Sequence, residues 1–205
     1  MKLTITHQET YSRGQLLLRT FFGWFYIAIP HFFVLMFVGL ATAIFNFLSW
    51  WAILFTGRYP RYFFEFRVGY LKWSMRVVSR MMNLSDGYPP FGFSVEDPYV
   101  NLEIPYPEKL SRGKVLLKTF FGFFYVMIPH GIVLYFLWIA CMLFVIGAWF
   151  IVLFTGKYPA GMHNFVVGVM KWGIRVSIYF FMTDKYPPFS LHDEEEVKEA
   201  PVNEI

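Results

Sequence analysis

No Asp, Glu, Lys or Arg occurs between Arg19 and Arg58, and none between Lys118 and Lys157. Each interval is 38 residues long, whereas a helix crossing a bilayer needs only about 20 apolar residues. Charged residues make up 16% of the 205-residue chain, against about 25% in a soluble domain. The deficit is concentrated in these two runs, which point to an integral membrane protein. The first 15 residues are polar and the run that follows is too long for a signal-peptide core. The expectation is that the segments themselves direct insertion.

The two runs belong to a duplication. Residues 12–83 align with 111–182 without a gap at an offset of 99, and 33 of the 72 positions are identical. SRGQLLLRTFFG matches SRGKVLLKTFFG, LFTGRYP matches LFTGKYP, and VGYLKWSMRV matches VGVMKWGIRV. After a one-residue deletion, DGYPPF (86–91) matches DKYPPF (184–189). The organisation read from this is repeat 1 over 1–91, a polar, Pro-rich linker over 92–110, repeat 2 over 111–192, and an acidic, disordered tail over 193–205.

The ordered set IPH, a long apolar run ending in LFTG-[RK]-YP, F-x-VG-x2-KW-x2-R and D-x-YPPF resembles the bacterial membrane family DUF4389, in two tandem copies. The resemblance implies membrane location and a helical unit, and it assigns no reaction.

Within each unit the residues mark three helical segments. The first runs to Ile29 or Ile128, where Pro30 and Pro129 set a boundary, because an interior proline removes a helix hydrogen bond. The second, about 31–55 and 130–154, is long enough to span. Gly57 and Gly156 suit the left-handed residue past a helix end, and Pro60 and Pro159 stop its continuation. The third, about 61–83, lines Arg61, Glu65, Lys72, Arg76, Ser79 and Asn83 along one side, with Arg80 at the border and Arg67 the exception among aromatics. That pattern predicts a helix lying flat in the interface with its cations toward headgroups. Lys171 and Arg175 hold the same line in repeat 2.

Both units carry their cations at matching positions, so their Lys/Arg bias is the same and the repeats should be parallel. Parallel repeats need an even number of crossings per unit. The fold class expected is therefore all-α integral membrane, each repeat being a membrane hairpin (short arm, Pro-His bend, full-length span) plus an amphipathic interfacial helix. The expected location is the bacterial inner membrane, with interfacial helices and tail on the cytoplasmic side.

Net charge is +4, and without 193–205 it is +9, from 17 basic and 8 acidic residues. A basic body suits anionic lipid headgroups, with Arg61, Lys72, Arg76, Arg80, Lys171 and Arg175 as the expected contacts. Nucleic acid is not an expected partner, because the cations lie beside the apolar runs. The single cysteine, Cys141, excludes an intrachain disulfide and reads as a packing residue.

Two repeated polar features remain. His31 and His130 could pair across a pseudo-twofold axis and ligate a haem or metal. The weightier reading is structural: a neutral histidine after a helix-starting proline bonds a nearby backbone group, and no cofactor is expected. Asp86, Tyr88 and Phe91, with Asp184, Tyr186 and Phe189, read as a turn stiffened by Pro-Pro or as a partner-docking surface. No hydrolase, zinc-protease or dinucleotide motif occurs. The expected function is a non-enzymatic accessory or scaffold subunit of an inner-membrane complex. A lipid-binding or membrane-shaping protein is the alternative, and a histidine-ligated redox subunit a weaker third.

Overall fold

The computed structural model describes residues 1–192; the acidic tail lies outside the described residues. Strand β1 (Lys2–Ile5) precedes α1 (Arg13–Gly23), a five-residue π-turn (Trp24–Ala28), α2 (Ile29–Thr56) and α3 (Arg61–Met81). Strand β2 (Val100–Glu103) then leads into α4 (Arg112–Gly122), a second π-turn (Phe123–Met127), α5 (Ile128–Thr155) and α6 (Ala160–Phe181). The helical content and the two tandem units agree with the sequence reading.

The helix does not break at Pro30. From Arg13 to Thr56, and from Arg112 to Thr155, the chain is one helix of 44 residues, long and apolar enough to cross a membrane. Proline cannot donate to the carbonyl four residues back, and widening the preceding turn accommodates that loss without a break. The widened bonds are visible: Ile29 N–H donates to Trp24 O, and Ile128 N–H to Phe123 O, five residues apart in each case. The short arm and the full-length segment are therefore joined through the π-turn into one unbroken helix.

The hairpin in each unit lies one connection later. Gly57 and Gly156 end the long helices in the left-handed conformation, at φ 71° and 72°. Pro60 and Pro159 then start α3 and α6, which run back antiparallel along their own long helices. Gly39 faces Tyr70, Phe45 stacks on Phe63, and Gly23 meets Met81. Only 17% of the most apolar window of each long helix is buried. Core helices of globular domains are mostly enclosed, so these expose their apolar side chains.

The linker assigned to 92–110 is part of the fold. Its β2 pairs antiparallel with β1, Leu3 opposite Leu102, and the ladder packs against α3 and α6. Leu3, Ile5, Val100 and Leu102 are buried beneath it, while Lys2, Thr4, Asn101 and Glu103 alternate outward. The all-α expectation thus gains a two-stranded ladder.

The repeats grip each other reciprocally. Trp50 Nε1 donates to Thr119 Oγ1 at 2.8 Å, and Trp149 Nε1 donates to Thr20 Oγ1 at 2.8 Å. Tyr11 N–H donates to Gly156 O and Leu110 N–H to Gly57 O, both at 2.8 Å. Each bond joins residues that exchange places under the 99-residue offset, so a pseudo-twofold axis relates the units. Arg67, the exception on the apolar side of α3, reaches α6 of the other unit at Met182 Sδ (3.1 Å) and Ser177 O (3.4 Å).

Candidate functional site

The repeated motifs converge in each unit on one aromatic box. The helical phase of α2 points His31 inward, where it is fully buried. Its Nδ1 accepts from Trp73 Nε1 at 2.8 Å, Trp73 being the tryptophan of the KW motif on α3. The segment leaving α3 folds back so that Phe91 stacks on the imidazole, centroids 3.9 Å apart at 14°, with Tyr88 at 5.3 Å. Unit 2 repeats this: Trp172 Nε1 donates to His130 Nδ1 at 2.9 Å, and Phe189 stacks on the ring at 4.0 Å and 16°.

Hydrogen bonding selects the tautomer. An Nδ1 that accepts an indole N–H carries no proton, so the proton of the neutral ring resides on Nε2. In unit 2 the chain continues: His130 Nε2 lies 3.1 Å from Tyr186 Oη, which donates to Tyr125 O at 2.9 Å. In unit 1, His31 Nε2 is buried and the imidazole interacts with the backbone of Pro89 instead. Metal ligation through Nε2 would require moving the proton to Nδ1, against the indole N–H. The donor set does not fit a haem or metal ligand, and both rings pack inside their own unit. The bis-histidine reading is corrected accordingly.

Asp86 and Asp184 clamp the starts of the long helices. Asp86 Oδ2 accepts from Ser12 N–H at 2.6 Å, and its Oδ1 pairs with Arg19 Nη2 at 3.0 Å. Asp184 accepts from Ser111 N–H at 2.6 Å and pairs with Lys118 Nζ at 2.9 Å. Ser12 and Ser111 in turn cap α1 and α4. Each acid thus ties the segment leaving α3 or α6 to a helix start, through a basic partner that the sequence reading did not pair with it. The signal was present, since Arg19/Lys118 and Asp86/Asp184 keep their signs in both copies.

The expected headgroup cations divide. Arg61 is exposed, 3.7 Å from Glu65 and over the Tyr106 ring, and Lys72 is half-exposed. Arg76 is 2% exposed and donates to the carbonyls of Gly92 and Val95. Arg80, also 2% exposed, binds Ser85 Oγ at 2.8 Å and pairs with Asp97 at 2.7 Å. Arg175 donates to the carbonyls of Ser190 and His192, and Lys171 is buried. Only the C-terminal part of the polar stripe of α3, Arg76 and Arg80, faces the returning loop, where carbonyls and Asp97 satisfy guanidinium groups that burial would otherwise penalise. Arg76, Arg80, Lys171 and Arg175 are therefore corrected from headgroup contacts to structural cations.

The VG glycines explain how the loop fits. A Cβ at Gly69 would lie 2.6 Å from Phe93 Cγ, and one at Gly168 would lie 2.9 Å from Leu191 Cβ. Only glycine lets the returning chain cross the helix there. IPH, VG, KW and D-x-YPPF thus form one mutually dependent assembly.

A family model described as "Domain of unknown function (DUF4389)" matches residues 15–92 and again 117–190. The chain belongs to this family. Each DUF4389 copy encloses one complete box, with His31, Trp73, Asp86 and Phe91 in the first and His130, Trp172, Asp184 and Phe189 in the second. The strands of the ladder lie outside both DUF4389 matches, so the ladder adds to what the family model describes. No curated protein and no solved structure matches the chain.

Proposed function

We propose that the chain is a non-enzymatic accessory or scaffold subunit of a bacterial inner-membrane complex. The observation that carries this reading is where the motif residues point. His31 bonds Trp73 and Asp86 pairs with Arg19, as their counterparts do in unit 2, leaving the outside to apolar helix faces. Phe21, Phe25, Phe32, Leu40, Phe47 and Phe55 are exposed along one long helix, and Phe120 to Phe154 repeat the pattern. Exposed apolar area on this scale marks lipid or protein contact. Tyr88, Phe91, Tyr186 and Phe189 each retain an exposed edge beside their box, giving a membrane partner two equivalent aromatic docking points.

Purification in mild detergent followed by mass spectrometry of bound proteins tests this. A stoichiometric membrane-protein partner, lost when Tyr88 and Tyr186 are both changed to Ser, is the expected result. A chain that purifies alone, with no partner across several mild detergents, overturns it.

One feature favours membrane shaping as a second reading: the apolar face extends along both helices of a cross-braced pair, a broad wedge. That reading expects purified protein to deform pure phospholipid vesicles without any partner.

A further inference from the structure

The duplication and the ladder together constrain how the molecule can sit in a membrane. The Trp50–Thr119 and Trp149–Thr20 bonds join the early part of each long helix to the late part of the other. Each bond therefore brings the start of one long helix against the end of the other, across the pseudo-twofold. The same axis passes through the β1–β2 ladder, because Leu3 and its equivalent Leu102 are paired with each other.

Only two orientations respect that symmetry. If the long helices span, the axis lies in the bilayer plane and the ladder sits at mid-depth. Lys2, Thr4, Asn101 and Glu103 face outward from that ladder, whose two open edges hydrocarbon does not tolerate. Spanning also places matching cations, Arg13 and Lys157 at one end and Arg58 and Arg112 at the other, on opposite sides, against the usual bias of basic residues to the cytoplasm.

If the axis instead lies along the membrane normal, each difficulty disappears. The ladder faces water. Arg13, Arg58, Arg112 and Lys157, all exposed, lie at one level, where lipid phosphates are. The parallel charge bias of the repeats is kept without any crossing. We infer that the protein is monotopic: both ends of each 44-residue helix stay on one side of the bilayer, with the apolar faces in the acyl chains and the basic ends at the headgroups.

This inference rests on the membrane location proposed above, and sided labelling separates the two. Single cysteines at Thr10, Arg58, Lys109 and Lys157, all exposed sites, are placed in a Cys141→Ala background. Sealed inverted vesicles and intact spheroplasts are then treated with a membrane-impermeant maleimide. All four cysteines should label from one side and none from the other, with Asn101→Cys labelling on that same side. Thr10 and Lys157 labelling from one side, with Arg58 and Lys109 from the other, overturns the monotopic arrangement and leaves membrane location standing. Release of the protein by alkaline carbonate overturns both.

Discussion

Trp73 and His31 show how one bond can define a buried site. Trp73→Phe keeps the ring but removes the N–H, leaving the imidazole acceptor unpaired in an enclosed space. The expected loss is about 1–3 kcal/mol, measured by thermal unfolding in detergent. His31→Phe in the same background should recover part of it, because two apolar rings carry no unmet polar group. The Arg19–Asp86 pair is a stiffer case, since the Arg19 side chain is 4% exposed. Asp86→Ala leaves a buried cation without its carboxylate and should cost about 3–5 kcal/mol. Adding Arg19→Met should restore stability toward that of the native chain. His31 and Asp86 were both conspicuous in the sequence; their partners were not, because residues 42 and 67 positions away meet only after α3 has folded back.

Among the elements, the long helices and their returns were partly legible. Gly57 and Gly156 announced the helix ends, since a left-handed residue followed by Tyr-Pro has few other uses. Pro30 was ambiguous: a missing donor can end a helix, kink it, or be absorbed by one widened turn. The π-turn is the observed solution. Pro30→Ala should therefore leave far-UV ellipticity unchanged, whereas a bend between separate segments would gain helix. The polar stripe of α3 was ambiguous for a similar reason. An amphipathic pattern says that one side is polar, and headgroups, water or a loop of carbonyls satisfy it equally well. The returning loop covers the C-terminal part of the stripe only because Gly69 lets Phe93 approach. Gly69→Ala should displace that loop at about 1–3 kcal/mol, with increased proteolysis between 92 and 98 as the readout.

Between the repeats, His163 reports on the whole molecule. It is buried against His7 and Tyr158, with its Nε2 3.3 Å from Leu84 O, so it joins α6 to both the N-terminal segment and the end of α3. Burial lowers its pKa below the usual 6.5, and the neighbouring His7 adds to the effect. Between the folded and unfolded values the unfolded chain binds more protons, so stability rises with pH. Acidification from pH 7 to 5 should destabilise the fold, and His163→Gln should flatten that slope in pH-dependent unfolding.

Local chemistry in the sequence determined the duplication, the apolar helices, their termini and the shared charge bias of the two units. These features depend on neighbours a few residues apart or on a self-comparison. The tertiary structure decided that the proline run is continuous, that Arg76 and Arg80 of α3 turn inward, and that the histidines close within their own units. It also decided the reciprocal pairing of the units about the Leu3–Leu102 axis. Those outcomes depend on which distant groups arrive to satisfy a buried donor, acceptor or charge. A periodic pattern records the need for such a partner without naming it.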